Sequence, residues 1–271
     1  MSAALSPVFN GLRNIHSSFG RWIIQSVSEV GSFSLFVNKV FREIFNPPWR
    51  GRLVLQQMEF LGNESLNIIM ISGFFMGAVF SLQIGHVFSI FGAEGMIGAA
   101  SGKALTRELS PLITAFLLTG RGGAAITAEI STMKVNEQID AMESMAVDPV
   151  SYLVAPRFIA AVTMTPVLVG IFNFTGMIGA LGVGILIFDV DQGVFFEKLI
   201  SVVGVDDIWN GMVKAAVFGG LIALLACRFG LSASGGAKGV GLATTNSVVT
   251  TLMVVLGVDF IITYLQIALG W

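Results

Sequence analysis

The sequence predicts an all-α polytopic membrane protein, and three observations carry that prediction. Apolar residues make up 54% of the 271-residue chain and charged residues only 12%, against about 25% charged in soluble domains. Five stretches, near 64–91, 105–127, 156–188, 210–229 and 248–269, are apolar over the roughly 20 residues a bilayer crossing needs. Glycine is abundant, at 32 residues, and recurs in small-residue steps that suit close helix contact in lipid.

Taken in order, residues 1–57 read as interfacial and elbow helices rather than a crossing. Arg13, Arg21, Lys39, Arg42, Arg50 and Arg52 are interleaved with Phe9, Trp22, Phe33, Phe36, Phe41, Phe45 and Trp49, a pattern suited to helices lying in the headgroup plane. The piece 22–45 is expected to dip into the bilayer as an elbow, with Lys39, Arg42 and Glu43 opposing a full crossing and Pro47-Pro48 ending it. The plainer alternative, a basic solubilising tail, leaves the aromatic residues without a role. No short apolar run ending in a small-residue cleavage site opens the chain, so no removable signal peptide is expected.

Residues 58–271 then form the five-span domain. The third span is long enough to tilt, or to break around Gly176, Gly179, Gly182 and Gly184. The ladders Gly73–Gly77, Gly176–Ala180–Gly184 and Ala215–Gly219–Ala223 serve packing within one chain or across a dimer. Between spans three and four lies an acidic loop, 189–209; between four and five, 230–247 reads as a connector, flexible at Gly235-Gly236-Ala237-Lys238-Gly239. Six basic residues precede the first span, and Arg121, Lys134, Arg157, Arg228 and Lys238 flank loops of the same side. The positive-inside rule therefore predicts a cytoplasmic N-terminus and an outward-facing C-terminus.

The segment Gly120–Arg157 is polar yet helical in pattern. Ile130, Met133, Ile139, Met142 and Ala146 recur near helical spacing, with Glu137, Asp140 and Ser144 on another face and Asp148-Pro149 as the stop. It predicts one rigid amphipathic helix over 129–146, between spans two and three on the cytoplasmic side, shaped to dock on a second protein.

Charges inside apolar spans are the candidate functional residues: Arg107 and Glu108 in span two, Lys214 in span four and Asp259 in span five. Each costs about 2.5–3.5 kcal/mol at a helix centre, so each should pair or line a wet cavity. Glu108 with Lys214, or Asp259 with Arg228 or Lys214, are the pairings open; Asp259 reads as structural. Phe74, Leu82, Phe88 and Phe91 give span one a bulky apolar surface, facing a cavity or lipid, interrupted by Gln83 and His86. The net charge of −2 argues against nucleic acid. A single cysteine, Cys227, excludes a disulfide framework, and no His or Cys stands at metal-ligand spacing to His86. No phosphate loop, nucleophile elbow or His-Glu-x-x-His pair occurs, so this chain is expected neither to hydrolyse ATP nor to bind a cofactor.

Ala104–Pro111, Gly120–Ile130, Met133–Met142, Val147-Asp148-Pro149 through Pro156-Arg157, and Leu256–Phe260 resemble the signature of MlaE-type permeases. These are the YrbE-like membrane subunits of Mce-associated ABC transporters, and the resemblance spans about residues 60–270. It implies a homodimer in the bacterial inner membrane that moves phospholipid between inner and outer membranes, in support of outer-membrane lipid asymmetry. ATP and Mg would sit on two cytoplasmic ATPase subunits. A periplasmic hexamer of MlaD-like Mce-domain protein is the other implied partner, with a small STAS-domain protein as a further one. The resemblance makes Glu129, Lys134, Glu137, Asp140 and Met142 candidate ATPase contacts. It maps the family's polar pocket onto Arg107, Glu108 and Lys214, with Phe88 or Phe91 standing where relatives carry a pocket aromatic. A rival reading, an ion-coupled carrier using Asp259 and Glu108, leaves the amphipathic cytoplasmic segment unexplained; a non-transporting scaffold is the third.

Overall fold

The computed structural model describes residues 27–45 and 50–270; the expected helices of residues 1–26 and the Pro47-Pro48 break lie outside them. The chain divides into two units at Pro47/Pro48. In the first, residues 27–45 form one uninterrupted helix, α1, carrying Lys39, Arg42 and Glu43.

The second unit holds five helices of membrane-crossing length and apolarity, and the described residues contain no strand. α2 (Gly51–Ile90) opens it. At 1.5 Å per residue it is about 60 Å long, so it outreaches the hydrocarbon layer unless strongly tilted. It starts well before residue 64, taking in positions 51–57. The second span is a rod running from Glu94 to Val135. In it α3 (Ile97–Ala104), α4 (Ser110–Leu118) and α5 (Ala124–Val135) are joined by π-type turns at Leu105–Leu109 and Thr119–Gly123. After the short α6 (Gln138–Ser144), a third π-type turn at Val150–Val154 leads into α7 (Ala155–Leu186). α8 (Gln192–Val202), α9 (Val205–Leu231) and α10 (Gly236–Ala268) complete the unit.

Lipid offers no hydrophobic drive between helices, so the bundle is held by close approach and hydrogen bonds. The tightest seam joins α2 to α7. A Cβ on Gly77 would collide with the Gly176 backbone, and one on Gly179 with the Phe74 carbonyl oxygen. Ser81 Oγ donates across the same seam to the Ala180 carbonyl at 3.0 Å. Each span contributes to one apolar core, through Ile69, Leu118, Phe172, Phe218 and Val255 among others. Nearer α6, Thr127 Oγ1 meets Ser247 Oγ at 2.9 Å and donates to the Ala226 carbonyl at 3.2 Å, fastening α5 to α10 and α9.

Four expectations need correction. α7 does not break at its glycine series, because Gly176, Gly179 and Gly184 are consumed by contacts with α2 and Phe195 rather than by a bend. The 230–247 connector is helical from Gly236 onward; only a tight turn remains, with Gly235 and Gly236 at φ +88° and +68°. The acidic 189–209 loop contains α8, whose start is capped by Asp191 Oδ1 accepting from the Gly193 and Val194 N–H groups at 2.8 and 3.2 Å. Finally, 129–146 is not one helix. It breaks after Val135 and restarts at Gln138, with Glu137 left-handed at φ +59°. The reason lies in the pattern itself: Ile130 and Ile139 are both buried, yet nine residues of α-helix would put them on opposite faces. The turn rotates Ile139 back toward the bundle.

These contacts set opposite outcomes for two glycines. Gly77→Leu should destabilise the protein by at least about 1–3 kcal/mol, the usual penalty for overpacking. Gly182→Ala, with open space around its Cβ, should be tolerated within about 0.5 kcal/mol. Thermal unfolding of the two variants in detergent checks the contrast.

Candidate functional site

The π-type turn at Leu105–Leu109 places Arg107 and Glu108 about a third of the way along the second span, and such bulges are frequent at functional sites. Glu108 points to Lys214 of α9. Lys214 Nζ is fully buried and donates to Glu108 Oε2 at 2.6 Å and to Thr263 Oγ1 at 2.7 Å. It also lies 3.4 Å from Asp259 Oδ1. The Thr263 hydroxyl in turn donates to Glu108 Oε2 at 3.3 Å. Three spans therefore meet at one ammonium group. The network is not sealed: the Lys214 side chain is 0% exposed, but that of Glu108 is 39% exposed. A buried cation with a carboxylate at its open edge can present hydrogen-bonding groups to a polar ligand while its charge stays compensated.

Arg107 does not join this network. Its Nη1 lies 3.4 Å from Asp207 Oδ1, and Lys103 Nζ lies 3.1 Å from Asp207 Oδ2. The same Oδ2 accepts the Gly204 N–H at 3.0 Å, at the start of α9. The three residues that the resemblance grouped are thus divided between two polar clusters. Asp207 and Lys214 are seven residues apart on α9, so the clusters share one helix face about 10 Å apart, the Arg107 cluster lying toward the α8 end.

On α2, Phe74 and Leu82 are exposed, Phe74 standing edge-to-face with Phe75 at 5.5 Å. Phe91 is exposed at the helix end, whereas Phe88 packs against a small core of Ile97, Ala180, Val190 and Phe195. Across the α6 end, Glu129 receives Arg157 Nη2 at 2.7 Å. Arg157 is itself buried and donates to the Leu153 carbonyl at 2.8 Å. Lys134 and Asp140 form a 2.6 Å pair that clasps the turn from both sides. Glu137 sits exposed on its crest, and Met142 is half-buried.

Sequence reading missed Lys103, Asp207 and Thr263. Each carries a helical-spacing signal: Lys103 is four residues before Arg107, Asp207 seven before Lys214, and Thr263 four after Asp259. Ser110 and Asn173, joined by a 2.6 Å hydrogen bond, carry no such signal because they lie on different spans.

Five membrane-length helices that bury an ion-pair network, with a bent two-helix element across one end, make this a polytopic membrane protein. The family model described as Permease MlaE matches residues 54–265, and the chain belongs to the MlaE permease family. It is 40% identical over 254 residues to a "Probable ABC transporter permease protein" of Rickettsia felis, covering 94% of this chain and 98% of that one. A similarly described protein of Synechocystis is 39% identical over 237 residues, covering 88% and 90%. The "Intermembrane phospholipid transport system permease protein MlaE" of Haemophilus influenzae is 42% identical over 220 residues, covering 80% and 84%. The chain is an ABC transporter permease.

The network has a direct test. Lys214→Met leaves Glu108 and Asp259 facing each other without a cation, and should cost about 3–5 kcal/mol. Adding Glu108→Gln and Asp259→Asn to Lys214→Met should recover much of that loss. Unfolding midpoints of the single and triple variants in detergent measure both effects.

Proposed function

We propose that two copies of this chain form the membrane core of an ABC transporter that moves phospholipid between the inner and outer membranes. ATP is hydrolysed on separate ATPase subunits docked against α5 and α6. The observation that carries this reading is the half-open network of Lys214, Glu108, Asp259 and Thr263 in a bundle whose α2 surface exposes Phe74, Phe75 and Leu82. Polar groups at one level and bulky apolar side chains along a neighbouring span suit an amphiphile with a charged head and hydrocarbon tails. The exposed apolar faces of α2 and α10 support pairing of two copies around that space. The name of the Haemophilus influenzae relative supports phospholipid as the cargo.

The Lys and Arg residues at the α6 end support a cytoplasmic position for it and a periplasmic C-terminus, on the side where a hexameric Mce-domain protein receives the lipid. A small STAS-domain protein joins the cytoplasmic side. Glu137, Asp140 and Met142 meet the ATPase, while Glu129 and Lys134 hold the shape of the contact through Arg157 and Asp140. ATP binding closes the ATPase pair and carries α6 with it, changing the width of the cavity between spans one, two and five. This coupling requires that ATP favour one of the two conformations. Acyl chains rest on span one, and the headgroup meets Glu108, Lys214 and, beyond them, Arg107.

Reconstitution with the partner ATPase tests the reading. Glu137→Lys and Asp140→Lys should each cut permease-stimulated ATP hydrolysis at least about tenfold, equivalent to about 1.4 kcal/mol of lost docking. Both variants should still insert in the membrane. Unimpaired lipid transfer in both would remove α6 from the mechanism, and transfer driven by an ion gradient without the ATPase would replace it with a carrier.

A further inference from the structure

Away from the ion-pair network, α7, α8 and α9 enclose a cleft of ≈ 490 Å³, within the range of about 300–1,000 Å³ typical of small-molecule sites. Along α7 its wall is Gly170, Asn173, Phe174, Met177, Ile178 and Leu181. At 1.5 Å per residue that stripe runs about 16 Å along the helix. The opposing wall comes from α8, through Phe196 and Ile200, and from Val203 just after it. The exposed rings and branches of Phe174, Ile178 and Ile200 mark the side on which the cleft opens to the molecular surface. It is long, narrow and apolar, the shape of one hydrocarbon body. None of the candidate cavity side chains lines it, and neither does any cation.

Two residues in this wall are unexplained by packing. A Cβ on Gly170 would meet nothing within 4 Å, unlike those on Gly176 and Gly179. The missing side chain seals no helix seam; it keeps the inner end of the cleft open. Asn173 accepts a hydrogen bond from Ser110 Oγ on Oδ1 at 2.6 Å, and its Nδ2 donors have no partner among the described residues. The other polar lining residue, Thr106, spends its hydroxyl on the Gly102 and Lys103 carbonyls. A carboxamide N–H pair in an apolar wall at membrane depth is unfavourable unless an acceptor reaches it.

We propose that this cleft binds a single neutral lipid, whose hydrocarbon body lies along α7 and whose one oxygen function accepts a hydrogen bond from Asn173 Nδ2. A phospholipid is a poor match, since its acyl chain has no acceptor at that depth and its phosphate finds no cation in the wall. The site is separate from the proposed transport route, so its occupant is a resident or regulatory lipid rather than cargo.

The test is photolabelling of the full chain in nanodiscs with a diazirine-bearing long-chain alcohol. Controls are the same chain ending in methyl and the same chain carried by phosphatidylcholine. The alcohol should label peptides 170–181 and 195–203 about fivefold more than the methyl-ended chain, the factor one hydrogen bond supplies. Asn173→Leu should abolish the excess while leaving the methyl-ended labelling in place. Ile200→Trp, which fills the cleft from α8 without touching the Ser110–Asn173 bond, should lower both. Equal labelling by alcohol and methyl-ended chain, or no response to Asn173→Leu, overturns the proposal. So does stronger labelling by phosphatidylcholine, which would make the cleft an ordinary acyl-chain contact. A photo-crosslinker at position 200 that captures a polypeptide in native membranes, rather than lipid, overturns it as well.

Discussion

The ammonium of Lys214 is the constraint on which the arrangement of the spans depends. Fully buried in a membrane domain, it cannot be left alone, and its partners come from two other spans: Glu108 of the second and Asp259 with Thr263 of α10. α10 has few other polar ties. Apart from the Ser247–Thr127 hydrogen bond, its buried residues are small or apolar, with Gln266 near the far end. The ion-pair network thus fixes how α10 is rotated and at what height it sits. Removing one member strands the others, whereas removing all of the charge would leave a bundle held by packing alone.

A second constraint acts through backbone proximity. α2 and α7 approach so closely that Gly77 and Gly179 have no room for a methyl group. The two helices consequently behave as a paired rod. The polar network and this glycine seam lie in different parts of the bundle, so one side is joined by shape and the other by charge. That division leaves the π-type turn at Leu105–Leu109, which carries both Glu108 and Arg107, as the place where the two halves meet.

How much of this was legible in the sequence follows from the energies involved. The five crossings were legible because a run of some 20 apolar residues outweighs any local preference. Their ends were not, since α2 and α10 continue as helix beyond the apolar run, where hydropathy carries no signal for where a helix stops. The Glu108–Lys214 pair was among the open possibilities, as charges at that depth must find each other. Arg107 went elsewhere because the π-type turn inserts a residue and shifts the register, so a single helical wheel for the second span misplaces its neighbours. The partner it found, Asp207, reads in the sequence only as part of an acidic loop. The kink at Glu137 is hidden for a related reason: the spacing of Ile130 and Ile139 looks roughly helical, yet nine residues amount to a half-turn error.

The Glu129–Arg157 bond has one more consequence. It bridges the segment leaving the second span to the segment entering the third, closing α5, α6 and α7 into a small ring. The tie is a light one, since the Glu129 carboxylate is more than half exposed, but it links the two crossings on either side of the short helix. α7 in turn is seated on α2 without clearance. One corner of the molecule is therefore in unbroken contact with three of its five pillars.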